Sequence, residues 1–147
     1  MSTDPKKILS ATLVVPATPQ QIFDLLADPA QHATIDGSGS IRKPLGDAPA
    51  RLTLGARFGM DMKIGVPYKI TNEVVEFDEP RQIGWRHFGG HIWRYILEPV
   101  EGGTRVTEQF DWNKSKSPMI LTLMGAFKKN QKSMEATLER MAAHFAA

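Results

Sequence analysis

Four residues in the second half of the chain carry groups able to do acid–base chemistry beside apolar rings: His87, His91, Tyr95 and Glu108. The histidines fall in "WRHFGGHIWRY", which also holds two of the three tryptophans. On a helix an HxxxH spacing would offer two imidazoles to a metal, but Gly89-Gly90 between Trp85 and Trp93 reads as a β-hairpin. Across a hairpin the pair could still take zinc, with Glu108 as a third ligand. It could equally line a pocket as hydrogen-bond donors or acid–base groups, or sit half-solvated at the hairpin end. A metal site also needs outer partners that orient its ligands, and we expect neither a metal nor a cofactor. Tyr95 can donate its hydroxyl to a carbonyl. Glu108, if buried, would have a raised pKa, as a general acid or base needs. It could equally pair with an arginine or sit near the open end of the sheet.

Strand register decides which of these groups meet. A two-residue Gly-Gly turn would place Arg86 on the face of Trp93 and Tyr95. A three-residue loop, Phe88-Gly89-Gly90, instead pairs His87 with His91, Trp85 with Trp93 and Ile83 with Tyr95. A glycine in the left-handed region serves such loops. Since a one-residue slip swaps faces, the odd loop is the reading that sorts the pattern. Gln82, Arg86, Arg94 and Glu98 then share the outer side.

The remaining elements frame this hairpin. Leu9, Ala11, Leu13 and Val15 form a first strand. Thr18, Pro19 and Gln21 write a capping box that opens a short helix, and Asp28-Pro29 opens a second that ends at Gly37. Phe58, Met60, Met62 and Ile64 alternate as a strand, and Tyr68, Ile70, Asn72 and Val74 continue the series. "DEPRQ" and Gly102-Gly103 read as turns. Beyond them Val106, Glu108, Phe110 and Trp112 point one way and Arg105, Thr107, Gln109 and Asp111 the other. From Ser117 a helical stripe runs through Ile120, Met124, Phe127, Gln131, Met134, Leu138, Met141 and Phe145, with Gly125 a place for a bend. Lys128, Lys129 and Lys132 lie off the stripe as a solvated face.

The interior so assembled mixes rings and methionines with the polar tips of His87, His91, Tyr95, Glu108 and Gln131. Unpaired polar groups are costly in a dry core, so a cavity for a hydrophobic small molecule fits better. Its expected lining is Phe58, Met60, Met62, Trp85, Trp93, Phe110, Trp112, Met124, Phe127, Gln131 and Met134. Asp36, beside "GSGS", could reach its mouth or simply make a turn.

Composition narrows the field. The 147 residues suit one domain spanning 1–147, a size that buries about 68–70% of the unfolded surface. Net charge is only +2 and the basic residues are dispersed, so no nucleic-acid partner is expected. The absence of cysteine excludes disulfides and thiol chemistry and suits a reducing compartment. "MSTDPKKILSATLVV" has no apolar run of signal-peptide length, and no segment reaches the roughly 18 apolar residues of a membrane span. The expectation is a cytoplasmic protein. Its oligomeric state has no signature in the chain.

Taken together, "VVPATPQQIFDLLADPAQHATIDGSG", "EFDEPRQIGWRH" and "WRYILEPVEGGTRVTEQFDW", followed by a terminal helix, resemble the START-like superfamily, also called SRPBCC or helix-grip. They look most like its bacterial polyketide cyclase/dehydrase branch. The resemblance implies an α+β fold: a curved antiparallel sheet wrapped around a long C-terminal helix, two short helices after the first strand, and a hydrophobic cavity between. Members include lipid carriers, hormone receptors, cyclases and aromatases, and chaperone co-factors. Three functions therefore stay open: binding of a lipid, isoprenoid or polyketide-like molecule, a cyclase, aromatase or dehydratase reaction, and a protein-interaction module. One departure is Ile35, where many relatives carry an aromatic before Asp-Gly.

Overall fold

A computed structural model describes residues 7–36, 41–44, 49–64, 66–87, 90–113 and 125–146, with backbone only at 33, 41–44, 60–64, 66–70 and 126. In chain order the elements are β1 (Ile8–Val15), α1 (Pro19–Leu26), a 3₁₀ turn (Pro29–Gln31), α2 (His32–Ile35), β2 (Ile41–Pro44), β3 (Arg57–Ile64), β4 (Val66–Asp78), β5 (Gln82–His87), β6 (Ile92–Val100), β7 (Gly103–Asp111) and α3 (Ala126–Ala146). The strands form one antiparallel sheet in the order β1-β7-β6-β5-β4-β3-β2. Meander connections account for every neighbour pair except β1 with β7, where the first strand joins the last from Ile8↔Asp111 to Val15↔Thr104.

The local signals act as read. Thr18 accepts from the Gln21 amide at 3.1 Å, and the Gln21 side chain accepts from the Thr18 amide at 2.9 Å. This reciprocal cap satisfies two donors that the start of α1 would leave open. Asp28 caps the 3₁₀ turn by accepting from the Ala30 amide at 3.0 Å. Ile22, Phe23, Leu25 and Leu26 bury the inner side of α1, and Phe23 meets Phe77 edge-on. Ile35 is also buried and packs into the core.

Met134, Leu138 and Met141 of α3 are fully buried, and the helix runs alongside β1 and β7. Of the helix expected from Ser117, the described part is Ala126–Ala146, and the interruption falls at Gly125, where a bend was expected. Gly125 has φ 66, a left-handed backbone that no α-helix passes through, and the described helix begins just after it. Ser117, Ile120 and Met124 lie outside the described residues, as does Gly37.

The turn between β6 and β7 is where the first strand is locked to the last. Thr104 donates its buried hydroxyl to the Ala17 carbonyl at 2.7 Å. Gly103, at φ 150, packs its α-carbon against the Val15 carbonyl, where a side chain would collide with that oxygen. Gly102 also has positive φ, at 88, but faces open space. We expect Gly102→Ala to cost about 1 kcal/mol, the ordinary penalty of a left-handed alanine. Gly103→Ala should cost clearly more, because β1 must also move off β7. Urea unfolding of the two variants measures the difference, and equal midpoints would contradict this account of the turn.

Candidate functional site

The β5–β6 register is the one the odd loop requires. Ile83 faces Tyr95 and Trp85 faces Trp93. The loop is closed by hydrogen bonds from the His87 amide to the His91 carbonyl (3.1 Å) and from the Gly90 amide to the His87 carbonyl (2.9 Å), with Gly90 at φ 96. On the next pair, Tyr95 stands opposite Glu108 and Trp93 opposite Phe110.

These registers put the four candidate acid–base groups on one face but in two separate clusters. The first is Tyr95 with Glu108. The Tyr95 hydroxyl donates to Glu108 Oε2 at 3.0 Å, and both residues are buried. Glu108 Oε1 is buried without a hydrogen-bond partner among the described residues. Burial raises the Glu108 pKa to about 8. The Tyr95 hydrogen bond works against this, and the charge of Asp36, at the end of α2, adds to it. Tyr95 is likewise pushed well above its ordinary value, by burial and then by the neighbouring carboxyl.

The second cluster is His87 with His91, stacked at 4.8 Å and 13°. His91 also packs on Phe110 at 5.0 Å. Burial lowers both imidazoles, and His91, further repelled by His87, falls to about 4. The Trp93–Phe110 pair stands between this cluster and Glu108 along β6 and β7. The zinc arrangement considered for the two histidines and Glu108 is therefore not formed. Among the described residues no group of three or more His, Asp, Glu or Cys side chains could hold a metal ion.

The expected lining divides in the same way. Phe58 and Trp85 meet edge-on at 5.5 Å, and Trp85 lies 5.9 Å from Tyr95. Phe110, Phe127 and Trp112 form a second run of rings, with Phe127 of α3 at 4.7 Å from Trp112. Met134 is buried in the core, while the side chains of Met60 and Met62 and all of Met124 lie outside the described residues. Gln131 does not belong with the inward polar tips. Its amide donates to the Ser10 carbonyl of the edge strand β1 at 3.0 Å, where α3 passes beside that strand.

Sequence reasoning missed His32. It is 5% exposed, stacks on Trp85 at 5.0 Å and meets Phe58 edge-on at 5.6 Å. Its Nε2 lies 2.9 Å from the Leu26 carbonyl, and burial lowers its pKa. It therefore serves as a neutral ring that fastens α2 to α1 and over the sheet. A signal was present, since the Asp28-Pro29 cap announces a turn just before it. The direction in which that turn delivers the ring depends on packing between distant elements.

A curved sheet gripping its C-terminal helix, with a polar pair set among rings on the inner face, defines the helix-grip class. Residues 7–146 match the family model for polyketide cyclase / dehydrase and lipid transport, and the chain belongs to that family. Rv0088 of Mycobacterium tuberculosis, an uncharacterised protein, is 33% identical over an alignment of 144 positions that covers 94% of this chain. This chain spans 64% of the length of that relative. Among solved structures, Ms6760 from Mycobacterium smegmatis superposes with a TM-score of 0.73 at 20% identity, covering 99% of this chain and 95% of that one. The AHSA1-like protein from Aeromonas hydrophila gives 0.65 at 18% identity, covering 94% of each chain. Both likenesses are of fold.

The two clusters should pull stability in opposite directions with pH. Glu108 binds its proton more tightly when folded (about 8) than at its ordinary 4.5. Its contribution is full below pH 4.5 and is lost as pH rises through about 8. The histidines, depressed on folding, contribute above their ordinary 6.5 and lose that contribution on acidification. Chemical denaturation across this range should show Glu108→Gln removing a slope on the order of a few kcal/mol between pH 5 and 8. The acid limb from the histidines should remain. An unchanged alkaline slope would show that Glu108 is not the buried acid responsible.

Proposed function

We propose that this chain binds a hydrophobic or aromatic small molecule, of lipid, isoprenoid or polyketide-like character, in a cavity between the inner face of the sheet and α3. The observation that carries this reading is the Tyr95–Glu108 pair. A buried carboxyl with one oxygen unpartnered is costly in a finished core. Set among apolar rings, it has the make-up of a ligand site, with mostly hydrophobic walls and a few placed polar groups. Trp85 and Phe110 supply flat apolar surface on either side, and the family to which the chain belongs includes lipid transport. His87 and His91 stand at the hairpin end of the same face, where neutral imidazoles suit an apolar entrance better than charged ones.

A second reading is favoured by the proton affinity of Glu108, which lies near neutral pH, where a general acid or base works best. In that reading the same site polarises a carbonyl through Tyr95 or His91 and moves a proton at the neighbouring carbon through Glu108, as cyclisation or dehydration requires. Solvent deuterium entering the methyl group of an aryl methyl ketone, followed by NMR, would report such a step. Exchange no faster than in buffer alone would remove it.

For the binding reading the direct experiment is native mass spectrometry of the freshly purified chain. The expected result is a population carrying a non-covalent mass that organic extraction releases as a lipid-soluble compound. A single ligand-free mass, unchanged after incubation with a lipid extract, would overturn the proposal.

A further inference from the structure

The chemistry around Glu108 goes further than an apolar pocket. Its Oε2 is engaged by Tyr95 from β6, and its Oε1 is engaged by none of the described residues. Ala11 of β1 stands opposite on the other side and brings no charge. The buried side chains of α3 are Met134, Thr137, Leu138 and Met141, none of them ionisable. From α2 come Asp36, whose charge is of the same sign, and His32, whose ring is held neutral by burial. Arg94 lies on the outer face, where it is held by Glu76 and Asp111. Among the described residues, no cation faces the carboxyl from any element packed on it. A carboxyl in this setting keeps its proton, since ionising it would bury a charge without compensation. With Tyr95 donating to Oε2, that proton sits on Oε1, where it has no acceptor.

We infer that Glu108, held in place by Tyr95, donates a hydrogen bond from Oε1 to the carbonyl oxygen of an apolar ligand, and that this makes the site select neutral ketones over carboxylate anions. The inference rests on the ligand-binding reading and names the substrate class of the same site. A ketone oxygen completes the one open valence and brings no charge inside. A carboxylate would meet two acidic groups, Glu108 and Asp36, with no cation to receive it. A protonated amine has no lone pair to accept the Glu108 proton, and could be received only if that proton left to solvent, burying an ion pair in place of a neutral contact, which burial penalises.

Equilibrium dialysis of the purified chain with naphthalenes of nearly equal shape tests this. The probes are 2-acetylnaphthalene, 2-ethylnaphthalene, 2-naphthoate and protonated 1-(2-naphthyl)ethylamine. At pH 6 the ketone should bind roughly tenfold more tightly than the ethyl compound, the worth of one well-made buried hydrogen bond. The anion and the amine should bind more weakly than either. The ketone's advantage should fade above pH 8, where Glu108 loses its proton. Glu108→Gln, which keeps a donor, should retain the advantage without that fading, and Glu108→Leu should abolish it while still binding 2-ethylnaphthalene. The wild-type series alone decides the matter if either variant fails to fold. Equal binding of ketone and ethyl compound, or preference for the anion or the amine, would overturn the inference and leave the ligand-binding reading standing. No binding by any probe would sink both.

Discussion

Side chains alternate across a strand, so the register of β5, β6 and β7 decides what the interior contains. Two turns set it: the odd loop ending at Gly90 and the Gly102-Gly103 turn. With these in place Trp85 meets Trp93, and Tyr95 meets Glu108. A slip of one residue in β6 would send Arg94 inward and Tyr95 out to solvent. The chemistry of the site is thus a property of pairing before it is a property of any single side chain.

The outer face of the sheet holds the same register from the other side. Arg94 reaches Glu76 with two nitrogens, at 2.9 and 2.8 Å, and reaches Asp111 at 3.0 Å and Gln109 at 3.1 Å. Despite burial, which alone would raise them, Glu76 and Asp111 are held below their ordinary values by the hydrogen bonds they accept, those from Arg94 among them. Gly84 lies under this cluster, and a β-carbon there would come within 3.0 Å of Glu76 Oε1 and 3.1 Å of Arg94 Cβ. One residue without a side chain therefore lets an ion cluster lie flat on the strand. An inward Arg94 would leave the part-buried Glu76 and the buried Asp111 without their cation, a strong penalty against the slipped register.

Much of this was readable from residue order because it depends on local rules. The Thr18 cap, the hairpin loop and the inward direction of Glu108 follow from turn chemistry and period-two alternation. The pairing of Tyr95 with Glu108 follows once both strands are in register. The break at Gly125 was visible as a possibility, but the spacing of Phe127, Gln131, Met134 and Leu138 continues the stripe from upstream and hides it. Gln131 misled for a related reason. It lies on the stripe, but at its margin, where a carbonyl of the edge strand takes its amide. His32 had no period to betray it, since a four-residue helix has no face of its own and its direction is set by what it lands on.

The pairing of β1 with β7 has a consequence for the order in which this molecule can form. Ile8 finds its partner only when Asp111 is available, and the helix that covers the pair comes later still. As the chain emerges from the ribosome, β3 through β6 can zip by short turns, while β1 waits with its apolar side uncovered. Contacts so distant along the chain are slow to form, because the intervening segment must first be closed into a loop. On grounds of sequence distance alone, the meander can pair before β1 claims the edge beside β7. Until β1 docks, the sheet keeps an unpaired edge and an uncovered apolar face, the kind of surface that a chaperone holds.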